Sequence, residues 1–230
     1  MREILPGDRR GRVHEGWLES AHTFSFGRFY DAARMGFGPL RVLNEDRVVP
    51  GRGFGRHGHR DMEILSLVLE GALEHRDDLG NGSVLQPGSF QRMTAGTGVR
   101  HSEWNASATE PLRFLQIWIE PAELDLPPGY QEHRPLRPAE GLEIVASGRS
   151  ADAPLAIHQN ASIYRVGLEA DKALVVDPGE GRRGYLHVIR GSLALEEGTP
   201  LGEGDALAFA DEQPSLRATT TVEALYFDLP

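Results

Sequence analysis

Apolar residues in this chain come in runs of about six, each closed within a few residues by glycine or proline. Ile64-Leu65-Ser66-Leu67-Val68-Leu69 ends at Glu70-Gly71, and the following segment ends at Asp77-Asp78-Leu79-Gly80-Asn81-Gly82. Phe114-Leu115-Gln116-Ile117-Trp118-Ile119 is another strand-length run, rich in aromatic and β-branched residues. The 27 glycines and 15 prolines fall between such runs, and no window before residue 120 carries the long stripe of an amphipathic helix. The reading is all-β. Asn81-Gly82 between two apolar runs predicts a hairpin, because both turn positions favour positive φ.

Five prolines (Pro121, Pro127, Pro128, Pro135 and Pro138) crowd residues 120–140. Proline has no N–H to give a sheet ladder, so this stretch reads as a linker rather than a strand. It divides the chain into a domain at 1–120, a linker at 121–140 and a domain at 141–230. The second half echoes the first. Tyr185 to Leu195 has the form apolar strand, Arg-Gly, apolar strand, and Gly202-Glu203-Gly204-Asp205-Ala206-Leu207 stands where Gln86-Pro87-Gly88-Ser89-Phe90 stands earlier. We read this as a duplicated β domain.

Acidic residues outnumber basic ones by 34 to 24, for a formal charge of -10. Such a surface has no general attraction for phosphate backbones, so direct nucleic-acid binding is not expected. The chain has no cysteine, so any metal must be held by His, Asp or Glu. Met1-Arg2-Glu3-Ile4-Leu5-Pro6 carries charge where a signal peptide needs its apolar core, and no apolar run approaches the roughly 20 residues of a bilayer span. The expected location is the cytoplasm, without membrane contact.

Two short patterns carry chemistry: His57-Gly58-His59 and His101-Ser102-Glu103. Residues i and i+2 of a strand point to one face, so each pattern presents two metal ligands side by side. A single His-x-His is more often a surface pair. Two such pairs, separated by a strand, a hairpin and another strand, converge on one point if their strands face each other. Three imidazoles and a carboxylate without sulfur suit Fe(II), Mn(II), Ni(II), Cu(II) or Zn(II), with one or two exchangeable positions left open, as catalysis needs. His14, His133 and His158 lie among polar residues and are expected to be solvated, as is the Arg182-Arg183 loop. His187 lies in an apolar run with no paired ligand nearby.

Around the first pair, Gly51 and Glu63 give Gly-x5-His-x-His-x3-Glu, and around the second, Gly98, His101 and Asn105 give Gly-x2-His-x3-Asn. These resemble the two motifs of the cupin barrel. The spacing from Glu63 to Gly71 is one residue longer than the usual pattern, and Gly96 stands where many cupins have proline. Further segments narrow the resemblance to the pirin family: His22-Thr23-Phe24-Ser25-Phe26, Leu40-Arg41-Val42-Leu43-Asn44-Glu45-Asp46, His59-Arg60-Asp61-Met62-Glu63-Ile64, Leu73-Glu74-His75-Arg76-Asp77, Met93-Thr94-Ala95-Gly96 and the closing Phe227-Asp228-Leu229-Pro230. The length and short C-terminal half resemble the bacterial pirin-like quercetinases.

That resemblance implies a bicupin, two jelly-roll-like β-sandwich barrels face to face. Residues 1–120 would be the metal-binding cupin and 141–230 a cupin-like domain without metal ligands. It implies His57, His59, His101 and Glu103 as ligands of one divalent metal, Fe(II) first, with Mn, Ni, Cu, Zn or Co as alternatives. Many other cupins use the glutamate of the first motif, here Glu63. The pirin pattern favours Glu103 and leaves Glu63 to orient a ligand. Gly58 stands where the family often has proline, and His22 and His75, in family-like stretches, are expected near the barrel. The implied activity is that of a quercetin 2,3-dioxygenase, which opens the central ring of a flavonol with O2 and releases carbon monoxide. The metal would acidify the bound hydroxyl, Glu103 would take its proton as the catalytic base, and an apolar barrel would accept the flat aromatic substrate. Eukaryotic pirins imply an alternative: a metal-dependent, redox-sensing regulator that binds a protein partner without turnover.

Overall fold

The regular structure is twenty-two strands and one 3-10 turn at Gly7–Arg9, so the short apolar runs do become strands. The computed structural model describes every residue from Met1 to Pro230. No helix is long and apolar enough to cross a membrane. The chain divides into two compact units, Gly11–Pro135 with Ile157–Gln159, and Met1–Arg10 with Leu136–Ala156 and Asn160–Pro230.

Strand β1 (Arg2–Leu5) opens the chain, and the first unit contains the next eleven strands. These are β2 (Gly11–His14), β3 (Leu18–His22), β4 (Leu40–Val48), β5 (Gly53–His59), β6 (Glu63–Glu70), β7 (Leu73–Asp77), β8 (Gly82–Leu85), β9 (Phe90–Thr94), β10 (Val99–Asn105), β11 (Leu112–Ile119) and β12 (Gly129–His133). They form a seven-stranded sheet in the order β12-β9-β6-β11-β4-β3-β2 and a four-stranded sheet in the order β5-β10-β7-β8. β6 and β11, the two apolar runs, are central strands buried along almost their whole length, as continuous apolar strands should be.

The second unit contains β13 (Gly141–Ser147), β14 (Leu155–Ala156), β15 (Ser162–Leu168), β16 (Ala173–Val175), β17 (Arg183–Arg190), β18 (Leu193–Leu195), β19 (Pro200–Leu201), β20 (Ala206–Ala210), β21 (Ser215–Ala218) and β22 (Val222–Leu229). Its sheets run β1-β20-β17-β22-β15-β13-β14 and β16-β21-β18-β19. The order matches that of the first unit, with β20, β17, β22 and β15 standing for β9, β6, β11 and β4, so the duplication read from the sequence is a repeat of topology. The architecture is an all-β bicupin. Leu193, Leu195, Leu216 and Ala218, on the small sheet of the second unit, lie in one apolar core with Leu186, Phe209 and Tyr226.

The structure corrects three sequence readings. The stretch at 121–140 is not only a linker: β12 adds to the edge of the first unit's large sheet by pairing with β9. Its prolines bracket that strand instead of interrupting it, and an edge strand needs donors on one side only. The first ten residues do not belong with the following hundred, because β1 pairs with β20 of the second unit. Arg182 is not a solvated loop residue: its Nε donates to Asp228 Oδ1 at 2.5 Å and its Nη2 to the Asn160 carbonyl at 3.0 Å. The β7–β8 hairpin forms as expected, but the positive φ of 94° falls on Gly80, and Asn81 is tied to Asp77 instead.

Two glycines matter for the small sheet. Gly96 has φ 46°, which a proline ring cannot adopt, and a Cβ there would lie 1.9 Å from the Leu126 carbonyl oxygen. This accounts for its standing where many cupins have proline. A Cβ on Gly53 would lie 2.3 Å from the carbonyl oxygen of Glu103 in the neighbouring strand. Gly96→Ala and Gly53→Ala are each expected to lose about 2–4 kcal/mol of stability, read as a lower denaturation midpoint. Gly58→Ala, whose Cβ meets nothing nearer than 3.8 Å, should leave the midpoint almost unchanged. Equal midpoints for all three would contradict this account.

Candidate metal centre

The site is built on the small sheet of the first unit, where β10 lies between β5 and β7. In register, His101 faces His57 on one side and Asp77 on the other, and Glu103 faces His75. The pairing of β5 with β10 is bulged: two steps along β10, from His101 to Glu103, correspond to three along β5, from His57 to Phe54. The extra residue leaves Gly55 and Arg56 both exposed and lets Phe54 and His57, three apart, both turn inward. Phe54 then packs edge-on against Trp17 and Phe114, while His57 and His59 reach the site.

Three imidazoles meet there. His59 Nε2 lies 3.0 Å and His57 Nε2 3.1 Å from His101 Nε2. His57 Nδ1 is 2.8 Å from the Gly55 carbonyl, which can only accept, so Nδ1 carries a proton and Nε2 is the nitrogen left to offer a lone pair inward. Burial, then the neighbouring His101 and His57 rings, pull His59 down to about 4 against the attraction of Glu103. Burial, then His57 and His75, pull His101 down to about 3 against the attraction of Asp77. Both therefore stay neutral, the form that ligates a metal. A single N–H at the centre could serve only one of the two close contacts. Nitrogens about 2.1 Å from a shared ion lie about 3.0 Å apart at right angles and about 3.4 Å apart in a tetrahedron. The observed spacing therefore fits one divalent transition metal held with positions to spare.

Glu103, 2% exposed, projects from the small sheet onto a polar row of the large one. Gln91, Ser66 and Gln116 lie in register across β9, β6 and β11. Gln91 Nε2 donates to Glu103 Oε1 at 2.7 Å, Ser66 Oγ lies 3.1 Å from that oxygen, and Gln116 Nε2 donates to Oε2 at 3.0 Å. Ser66 accepts from Gln91 Nε2 at 3.0 Å and gives its one proton to Gln116 Oε1 at 2.6 Å, and the Tyr130 hydroxyl lies 3.1 Å from Gln91 Oε1. A nitrogen of His75, a nitrogen of His101 and an oxygen of Glu103 lie within 4.8 Å of one another, as do the ligand nitrogens of His57, His59 and His101. His101 is common to both groups. The structure thus brings the four sequence-derived residues together in two overlapping triplets, the second of which also includes His75.

Glu63 stands apart. It is fully buried, accepts from Thr94 Oγ1 at 3.0 Å and 3.1 Å, and pairs with His158 Nδ1 at 2.8 Å. His158 is a loop histidine with a 45% exposed side chain, as its polar surroundings suggest, yet the segment Ile157–Gln159 packs in the first unit and brings its Nδ1 to Glu63, 95 positions away. Sequence reasoning also missed Ser66, Gln91, Gln116, Tyr130 and Asp77. The His75-x-Asp77 pair has the same i, i+2 signature as the two ligand pairs and was legible by that rule. The polar row was not, since each of its members looks like an isolated polar residue in an apolar strand.

A family model described as Pirin matches residues 7–119, and one described as the quercetinase C-terminal cupin domain matches residues 144–229. Over 228 residues the chain is 44% identical to the quercetin 2,3-dioxygenase of Escherichia coli strain K12, covering 99% of this chain and 98% of that protein. The chain belongs to the pirin family. A bacterial pirin from Escherichia coli, solved in complex with nickel(II), matches this pirin with a TM-score of 0.95 at 43% identity, covering 100% of this chain and 99% of that one. A protein from Geobacillus kaustophilus matches it with a TM-score of 0.81 at 27% identity, covering 98% and 95%.

His59→Ala and His101→Ala are each expected to weaken binding of added Ni(II) by more than about 100-fold while the apo chain still unfolds cooperatively. Glu63→Gln, whose partners are Thr94 and His158, should keep wild-type metal affinity. Equilibrium dialysis against a chelator measures all three. Metal retained by both histidine variants would remove those residues from the centre.

Proposed function

We propose that this pirin is a metal-dependent quercetinase, a dioxygenase that opens the central ring of flavonols such as quercetin with O2. The observation that carries this reading is the convergence of three imidazole Nε2 atoms beside a carboxylate held on both oxygens. The name of the 44% identical Escherichia coli relative supports the substrate class. His57, His59, His101 and Glu103 would hold the ion, and Fe(II) is our choice for it, with Mn, Ni, Cu, Zn and Co as alternatives, because an imidazole and carboxylate set without sulfur suits it. When bound, the metal supplies Lewis acidity to a coordinated flavonol hydroxyl.

The chain supplies the rest. Aromatic rings stand beside the centre: Trp118 lies edge-on to His59 at 4.9 Å and Phe26 edge-on to Trp118 at 5.1 Å, rings suited to packing against a flat polyphenol. Glu103 is the proposed base. Each of its oxygens accepts one amide N–H, Oε1 from Gln91 and Oε2 from Gln116, because the single Ser66 proton goes to Gln116 Oε1; the carboxylate therefore keeps lone pairs free to receive the flavonol proton. Gln91 and Gln116 keep the carboxylate from turning away as the proton arrives.

The test is oxygen uptake and carbon monoxide release by protein reconstituted anaerobically with Fe(II), with and without quercetin. Uptake should require both metal and flavonol, vanish in His101→Ala, and fall by about 100-fold or more in Glu103→Gln even where metal is retained. No uptake with Fe(II), Mn(II), Ni(II) or Cu(II) would overturn the dioxygenase and favour a redox-sensing regulator with a protein partner.

A further inference from the structure

Beside the centre lies a second histidine–carboxylate pair that the reaction above does not use. The side chains of His75 and Asp77 are both fully buried, with His75 Nε2 3.2 Å from Asp77 Oδ2. The Asp77 carboxylate is fixed from the other side by the hairpin: its Oδ1 accepts from the Leu79 and Asn81 amides at 3.0 Å and 2.9 Å, and its Oδ2 from Asn81 Nδ2 at 2.8 Å. Burial alone would raise the Asp77 carboxyl, but hydrogen bonds from Asn81 and His75 hold it below its ordinary value. Facing an ionised carboxylate, His75 Nε2 carries the proton, and in the neutral ring Nδ1 is an acceptor. The ring is held by stacking on Tyr130, with centroids 4.6 Å apart and planes 17° from parallel.

His101 presents the complementary group. Its Nε2 is turned toward His57 and His59, so in the ligating tautomer its Nδ1 is a donor. His101 Nδ1 and His75 Nδ1 are both buried, and neither meets a hydrogen-bonding group of the chain. The ring centroids are 5.4 Å apart and one nitrogen of each ring lies within 4.8 Å of one of the other, so the rings are close enough for a hydrogen bond between them, direct after a ring movement or through one water. A histidine that binds a metal through one nitrogen ordinarily gives its other N–H to an acceptor that fixes its tautomer and raises its basicity.

We propose that Asp77 and His75 form a relay to His101, in which His75 Nδ1 accepts the proton of His101 Nδ1 and so positions and tunes that ligand. His75 is a positioning residue here; it touches neither the metal nor the substrate. The relay rests on the metal-centre reading above.

The test compares Ni(II) affinity by chelator competition, and the visible spectrum of the Co(II)-loaded protein, in wild type, His75→Phe, His75→Asn and Asp77→Asn. His75→Phe keeps the stacking on Tyr130 but removes Nδ1, whereas His75→Asn puts an amide oxygen near the Nδ1 position. The relay predicts a 10–100-fold loss of Ni(II) affinity and a shifted Co(II) spectrum for His75→Phe, recovery of most of both in His75→Asn, and a smaller loss in Asp77→Asn. Wild-type affinity and spectrum in His75→Phe would overturn it, as would equal losses in His75→Phe and His75→Asn. If His75→Phe does not fold, an Asp77→Asn protein indistinguishable from wild type overturns it instead. Failure of the wild-type chain to bind Ni(II) would sink the metal centre itself, which is a separate result.

Discussion

Two imidazole nitrogens, each about 3 Å from the same nitrogen of His101, are a conflict that the rest of the first unit is built to sustain. His101 meets both His57 and His59 through one nitrogen, and burial makes protonation of His59 and His101 costly. A divalent cation resolves it, because all three lone pairs can then point at the same positive charge. Sheet pairing sets where the three rings stand. His101 sits on a central strand with a neighbour on each side, and the bulge in β5 turns His57 and His59 inward without giving up Phe54 to solvent.

The same logic explains why the site has polar groups at such depth. A buried carboxylate costs several kcal/mol unless its oxygens are satisfied, and Glu103 is satisfied by a row of polar residues crossing three adjacent strands in register. The row continues: Gln116 is opposite Asn44 on β4, and Asn44 is opposite His22 on β3, both buried. One polar row thus crosses five adjacent strands of the large sheet, from Gln91 to His22. In the second unit the topology is repeated without this row. The strands that correspond to β5, β10 and β7 carry Ala173-Leu174-Val175, Ser215-Leu216-Arg217-Ala218 and Leu193-Ala194-Leu195, and the leucines fill the interior. One fold accommodates either a metal centre or a hydrophobic core, depending on a handful of inward positions.

The buried Glu63, paired with the partly exposed His158, serves a different purpose from the one its motif suggests. In the cupin pattern the glutamate follows the two histidines as a candidate ligand or support for one. Here its carboxylate faces Thr94 and His158, and the triplets of potential ligands do not include it. A motif fixes spacing along a strand, but the partner of a buried carboxylate is whichever donor tertiary packing delivers. In this chain that donor comes from a segment 95 positions away.

What the sequence determined by itself is what local periodicity can carry. The two-residue repeat of a strand put His57 with His59 and His101 with Glu103, and short apolar runs closed by glycine and proline led to an all-β chain with a repeated half. Tertiary structure decided everything that depends on which strand lies next to which. Strand order placed Gln91, Ser66 and Gln116 in one row beneath Glu103, set His75 and Asp77 beside His101, gave β1 to the second unit, and made part of a proline-rich stretch an edge strand. The period of two says which face a side chain occupies. Its neighbour across the sheet is set by the free energy of the whole pairing pattern, to which residues far apart in the chain contribute together.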